Sequence, residues 1–283
     1  MKNSDLKKTT QGMRIVLYVA SFLVLSVGLS LYLLTNRTDV YFSWTINPPL
    51  TAAFLGAGYL ASFPLELLSA RERIWASTRP AVPGVWVFTF LTLIVTLIHL
   101  DRFHFNSLFF ITKAGTWVWL GVYIFVPIAL GILWLIQMRQ PGIDPPRKAT
   151  LPIWMRAVLI IQGGIMLLLG GAMLVFPERI IPLWPWMLSP LTARAIGAWG
   201  VGIGVLVVQA LWENDWWRLN HFAVSYLLYG LLQMINLLRY PTTLDWSRLT
   251  AGGYTAFVLS IILVGAFGTW KARQTMQIRI SQD

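Results

Sequence analysis

Pro49-Leu50-Thr51-Ala52 returns 141 positions later as Pro190-Leu191-Thr192-Ala193, and Gly56-Ala57 returns at the same offset as Gly197-Ala198. Upstream of this stretch the offset is 142: Met13-Arg14 matches Met155-Arg156, Gly28 matches Gly170, Arg37 matches Arg179 and Trp44 matches Trp186. Downstream, Glu72 and Trp75 return as Glu213 and Trp216. After a shorter loop, Ile98 and Arg102 return as Ile235 and Arg239 at an offset of 137. A self-similarity of this kind means one supersecondary unit duplicated and fused, and it governs every local reading.

Each copy is too apolar to be an ordinary soluble domain. Hydrophobic residues make up 57% of the chain and charged residues 12%, against roughly a quarter charged in soluble domains. The apolar residues fall into continuous blocks of roughly 17–25 residues, long enough for a helix to cross a hydrocarbon core about 30 Å thick. The blocks lie at 14–34, 51–69, 84–100, 117–137, 153–175, 193–212, 220–238 and 250–270. Continuous rather than alternating apolarity selects helices over a barrel. The expected fold is an all-α integral membrane protein of eight transmembrane helices, arranged as two parallel four-helix repeats. Residues 1–12 form an N-terminal tail, 13–137 repeat one, 138–154 a Pro-rich linker, 155–270 repeat two and 271–283 a basic tail. Because each repeat holds an even number of spans, both enter from the same side, related by a pseudo-two-fold axis along the membrane normal.

Positive charge sets the orientation. With the N-terminus inside, the inner segments carry 15 Lys and Arg residues and the outer segments 7, so both termini are expected in the cytoplasm. Among the inner 15 are Lys2, Lys148 and Arg279. The net charge of +11 is accounted for by topology and anionic headgroups, without nucleic acid. The first block, ending at Leu34 before Thr35-Asn36-Arg37, is longer than a signal-peptide core and lacks a small-residue cleavage site. It reads as a span.

The loops after the first span of each repeat are rich in Pro and Trp. They are expected in the outer interface, with Trp44, Trp184 and Trp186 at headgroup depth. Pro49 and Pro190 are placed at the first turn of the following helix, where a missing N–H costs least. Gly200 and Gly204 have the spacing of close helix packing, either inside the protein or between two copies.

Chemistry in such a chain is sought among polar groups at membrane depth, where each costs several kcal/mol unless partnered. Glu66 has two readings: a carboxylate pairing with Arg71 or Arg73 at the inner boundary, or a proton or ion site. Its repeat counterpart is Val207. His99 and Asn236 occupy equivalent places, each three residues before an arginine, Arg102 and Arg239, and so expected on one helix face. With Arg37 and Arg179 they define four repeat-related outer arginines, either ion-paired with Asp39, Asp101 and Glu178 or forming a pocket for an anionic headgroup or a quinone-like ring.

Other chemistries lack their residues. The chain has no cysteine, which removes disulfides, thiolate catalysis and Cys-ligated metals. His99 and His221 are expected at opposite ends of equivalent spans, too far apart for one bis-histidine haem, and His104 lies in an outer loop. There is no phosphate-binding loop, dinucleotide fingerprint, zinc motif or nucleophile elbow.

The second repeat resembles the DoxX-like group of four-span bacterial membrane proteins. The likeness rests on Gly163, Gly164, Gly170 and Gly171 in its first span, Pro177-Glu178, the stretch from Leu191 through Arg194 and Gly197 to Gly200, and the turn from Glu213 to Arg218. Repeat one departs from the pattern, with Asn36 at the place of Glu178 and Ala53 at that of Arg194. The resemblance implies a bacterial inner-membrane protein, often an accessory component of respiratory or redox systems. The expected function is therefore non-enzymatic: an accessory subunit of a membrane complex, or a lipid- or quinone-binding protein with membrane lipids and other subunits as partners. No cofactor is expected beyond such a bound lipid or quinone. The alternative is a secondary transporter with its substrate site at the repeat interface.

Overall fold

A computed structural model describes residues 5–147 and 149–280, with side chains as far as residue 275. Lys2 and Lys148 lie outside the described residues, as does the side chain of Arg279. The long helices are α1 (Gln11–Leu33), α3 (Pro49–Arg71), α5 (Val82–Ile98), α6 (Phe110–Met138), α7 (Ile153–Val175), α9 (Pro190–Glu213), α10 (Asn220–Arg239) and α11 (Leu249–Ile280). Single turns α2 (Thr38–Tyr41), α4 (Trp75–Thr78) and α8 (Pro177–Ile180) lie in the connections. Among the described residues, seven helices are long and apolar enough to cross a membrane, and α5, at 17 residues, is shorter.

Two helices outrun their apolar blocks. α6 begins at Phe110 rather than 117, and α11 continues to Ile280 rather than 270. Apolarity marks where a segment is dry, whereas a helix persists for as long as its backbone bonds propagate. Turns carrying Lys113, Lys271 or Arg273 can stay helical in water. At its other end α5 stops at Ile98, with His99 as its C-cap and Leu100–Arg102 a 3-10 turn. His99 and Arg102 therefore do not share an α-helical face, as their spacing had suggested, whereas Asn236 and Arg239 both lie in α10.

The helices of the two chain halves cross. α1 packs on α3 and α7 on α9, but α5 packs on α9 and α10 on α3. At the first crossing, Gly202 makes room for Phe88, and the Phe88 and Trp199 rings stand 4.0 Å apart. At the second, Ser225 Oγ donates to the Ala61 carbonyl at 2.6 Å and Gln233 Nε2 to that of Phe54 at 3.1 Å. Such bonds satisfy polar groups where no water is available to do so.

The same exchange appears in charge. Glu72, just past the end of α3, has His221 Nε2 of the other half at 2.9 Å. Glu213, at the end of α9, accepts from Arg79 Nε at 2.5 Å and Nη2 at 2.8 Å, and from Arg218 Nη1 at 2.8 Å. The linker closes this cluster, with Asp144 accepting from Arg79 Nη1 at 2.7 Å and Pro145 O from Arg218 Nη2 at 2.5 Å. Beside it the chain before α1 is tied by its backbone: Lys7 N donates to Ile143 O, and Trp75 N to Lys7 O.

The tryptophans of the Pro-rich loops are not at a lipid-facing surface. Trp44, Trp184 and Trp186 are all buried. Trp44 packs on Phe42, Phe103 and Trp119, and Trp186 Nε1 donates to Thr51 Oγ1 at 2.9 Å. Once the loops fold back over the helix ends, their apolar side chains fill the bundle. Gly200 and Gly204 are likewise used inside the protein, against Met166, Gly170 and Leu167 of α7.

Candidate functional site

Two cavities of ligand size lie among the helices of the described residues. Cavity one, of about 260 Å³, is bounded mainly by α1 and α6 with contributions from α3 and α5. Cavity two, of about 330 Å³, is bounded mainly by α7 and α11 with contributions from α9. Their linings correspond in sequence. Leu23, Val24 and Val27 of cavity one match Ile165, Met166 and Leu169 of cavity two at an offset of 142, as Tyr41, Phe42 and Ser43 match Leu183, Trp184 and Pro185. On the last helices, Gly115, Val118, Trp119 and Val122 match Tyr254, Phe257, Val258 and Ile261 at an offset of 139.

The cavities arise from how the outer helices pack. α1 packs strongly on α3 and only lightly on α6; α7 packs strongly on α9 and meets α11 mainly through long side chains, Trp154 on Phe267 and Gln162 on Ser260. A slot is left between the first and last helices of each half. Its walls include exposed side chains such as Ile111, Val118, Ile165 and Leu169, so each slot opens sideways from the bundle.

One substitution between the halves sets their depths. In cavity two the inner end is closed by Gln162, whose Nε2 donates to Ser260 Oγ at 2.9 Å and whose Oε1 accepts from Tyr226 at 3.0 Å. The corresponding residue of repeat one is Ala20, which lines cavity one. Lacking a side chain to bridge the slot, cavity one continues inward to Glu66.

Glu66 is 2% exposed and its Oε2 is buried with no hydrogen-bond partner. The expected pairing with Arg71 or Arg73 does not form, and both arginines are exposed. Arg71 ends the helix and Arg73 lies beyond it, whereas Glu66 lines the cavity. Tyr59 and Tyr123 line the same cavity, their hydroxyl oxygens 2.6 Å apart. One hydroxyl donates to the other, so one phenolic proton is left over.

The four repeat-related arginines take separate partners, three of them near in sequence. Arg37 lies over the Tyr41 ring at 5.9 Å and Arg179 over Phe176 at 5.4 Å. Arg102 pairs with its neighbour Asp101 at 3.0 Å, both largely exposed. Arg239 Nη1 donates to the Tyr32 carbonyl at 2.7 Å and lies over Tyr240 at 5.1 Å. Of the four, only Arg102 takes a carboxylate, and neither cavity is lined by any of them. The equivalent His99 and Asn236 also part company. His99 Nε2 is 2.9 Å from Arg194 Nη1, and Arg194 Nε also donates to the Leu174 carbonyl. Asn236 is fully buried and donates to Gln233 Oε1 at 3.2 Å, which also accepts from Tyr254 on the wall of cavity two.

These arrangements belong to an all-helical protein with the helix lengths of a membrane protein. Comparison with known protein families, curated proteins and solved structures finds no match to the chain.

Proposed function

We propose that the chain is a non-enzymatic integral membrane protein that holds a lipid-like molecule, such as a lipid chain or an apolar quinone, in each of two laterally open cavities. The observation carrying this reading is the correspondence of the two cavities: matching positions in the two repeats line two apolar slots that open where lipid would be. Small-molecule sites of this kind are concave, mostly apolar and furnished with a few polar groups. Cavity one supplies Glu66, Tyr59 and Tyr123, and cavity two Tyr254, whose hydroxyl donates to Gln233.

On this reading the two repeats run parallel and the protein has eight spans. α5, at 17 residues, rises about 26 Å, a shortfall that modest local thinning of the bilayer accommodates. The excess of inner positive charge puts both termini in the cytoplasm. The resemblance to the DoxX-like group supports a bacterial plasma membrane and a role as an accessory subunit delivering or retaining a lipid or quinone for a neighbouring complex.

The test is native mass spectrometry of the protein gently extracted from its own membrane. Gly115 and Gly253 line cavities one and two, and a Cβ at either meets nothing within 4 Å. The wild type is expected to retain small apolar molecules, and Gly115→Trp and Gly253→Trp each to lose one. Undiminished retention in both variants overturns the reading. The transport alternative finds its handle in Glu66, and uptake unchanged by Glu66→Gln would remove that role.

A further inference from the structure

Cavity one contains an acid and no base. Glu66 is the one formally charged residue in its lining, buried, with Oε2 unpartnered. Most of the other polar side chains there are already engaged. Thr89 Oγ1 donates to Val85 O, Thr112 Oγ1 to Val40 O, Ser26 Oγ to Phe22 O and Ser30 Oγ to Tyr41 O. Along the slot stand the aromatic rings of Tyr59, Phe88, Trp119 and Tyr123, each within 6.3 Å of another in the group. The slot follows α6 from Ile111 to Val126, a rise of about 22 Å.

We propose that cavity one binds a lipophilic amine, a long-chain or flat polycyclic molecule with one ammonium group, whose N–H donates to Glu66 while its apolar body fills the slot toward Ser43. This rests on the reading of the cavities as ligand sites and names the ligand class of one of them. Three requirements converge on this chemistry. An unpartnered buried carboxylate is costly, and a cation that hydrogen-bonds to it offsets that cost. Aromatic faces attract ammonium groups, most strongly where water is excluded. The length and apolar lining of the slot demand a hydrocarbon body, and its lateral opening admits one from the bilayer. The Tyr59–Tyr123 pair supplies a second acceptor beside the carboxyl group, since a hydroxyl that donates to its neighbour still has lone pairs free. Cavity two, which has no acid in its lining while Val207 matches Glu66 only in sequence, is the built-in comparison: it offers an ammonium group no counter-charge.

The experiment compares dodecylammonium with 1-dodecanol, two ligands of equal chain length, on the whole protein in lipid nanodiscs at neutral pH. Wild type is expected to bind dodecylammonium about tenfold or more tightly than 1-dodecanol, the worth of a charge-assisted hydrogen bond. Glu66→Gln should abolish that preference while leaving 1-dodecanol binding unchanged, which also shows the cavity intact. Tyr123→Phe, which keeps the acid and the ring, should weaken the amine by a smaller factor. Gly115→Trp should block both ligands at this site. Alcohol binding that is blocked by Gly115→Trp, with no preference for the amine or a preference that survives Glu66→Gln, overturns the amine assignment and leaves the cavity reading standing. Neither ligand binding to wild type, with Gly115→Trp indistinguishable from it, overturns both.

Discussion

Glu72 and Glu213, 141 positions apart just after α3 and at the end of α9, each pair with a basic side chain from the opposite half of the chain. The partner of Glu72 is His221 and that of Glu213 is Arg79, themselves 142 positions apart. The exchange is reciprocal, yet the two pairs differ in burial: the Glu213 side chain is 0% exposed and that of Glu72 33%. A sealed carboxylate serving two guanidinium groups is a different object from one at the rim.

The difference predicts unequal costs. Glu213→Gln leaves Arg79 and Arg218 short of their counter-charge in a dry site and should destabilise by about 3–5 kcal/mol. Glu72→Gln, at a partly solvated pair, should cost less than about 1 kcal/mol. Thermal unfolding of both variants in one detergent reads the order directly; equal losses would contradict the assigned burial.

The crossing of α5 onto α9 and of α10 onto α3 predicts the behaviour of a cut chain. A protease site inserted at Arg147, in the exposed linker, should yield two fragments that stay together through purification in mild detergent. Separation would show that each half packs by itself and that the crossing is absent.

Two glycine-to-alanine changes should have opposite signs. A Cβ at Gly265 would lie 2.5 Å from the backbone nitrogen of Leu227, while at Gly121 it meets nothing within 4 Å. Gly265→Ala should force α10 and α11 apart and cost about 1–3 kcal/mol. Gly121→Ala should stabilise by up to about 1 kcal/mol through helix propensity. Unfolding midpoints of the two variants check both.

The loop before α11 should respond to acid. Asp245 accepts from Ser247 Oγ at 2.5 Å and from Arg248 Nε at 2.9 Å, and Arg248 Nη1 also holds the Pro182 carbonyl at 2.8 Å. The Ser247 hydrogen bond first, and then Arg248, hold the Asp245 carboxyl below its usual value. A folded-state value depressed in this way contributes stability above the unfolded-state value, and that stability is lost as pH falls through the folded-state value. Protection of the backbone amides of residues 240–249, measured against an unstructured chain at the same pH, should therefore fall below about pH 4. Asp245→Asn should exchange quickly at every pH, and an unchanged pH profile in that variant would remove Asp245 as the cause.

How much of this was legible in the sequence depends on the range of the contacts. The starts of α3 and α9 are visible in Pro49 and Pro190 because a proline at a first turn is a local device. The acid Glu66 stands out because a carboxylate among apolar residues is conspicuous wherever the chain goes. That it shares a cavity with Tyr59 and Tyr123 is not visible, since a tyrosine in an apolar helix reads equally as core or as interface. The crossing of helices is written in pairings such as Glu72 with His221, 149 residues apart, which no window of the chain contains. Its trace was nonetheless present: acids matched at 72 and 213, with basic residues at 79 and 221. The arginines misled because their repetition says that the helix ends recur, not that the ends converge.

The crossing also imposes a schedule on synthesis. α5 is complete at Ile98, but its partner α9 ends only at Glu213, 115 residues later. At ordinary elongation rates that is a wait of roughly 6–23 seconds. During it, the face of α5 that meets α9 through Gly84 and Phe88 lacks that helix, and the hydroxyl-bearing residues of α5 are Thr89, Thr92 and Thr96. Each of those hydroxyls donates to the carbonyl four residues earlier in its own helix, at 2.9, 2.8 and 2.8 Å. The nascent helix thus carries its polar groups already satisfied, and can stand among lipids until the second half of the chain arrives to cover it.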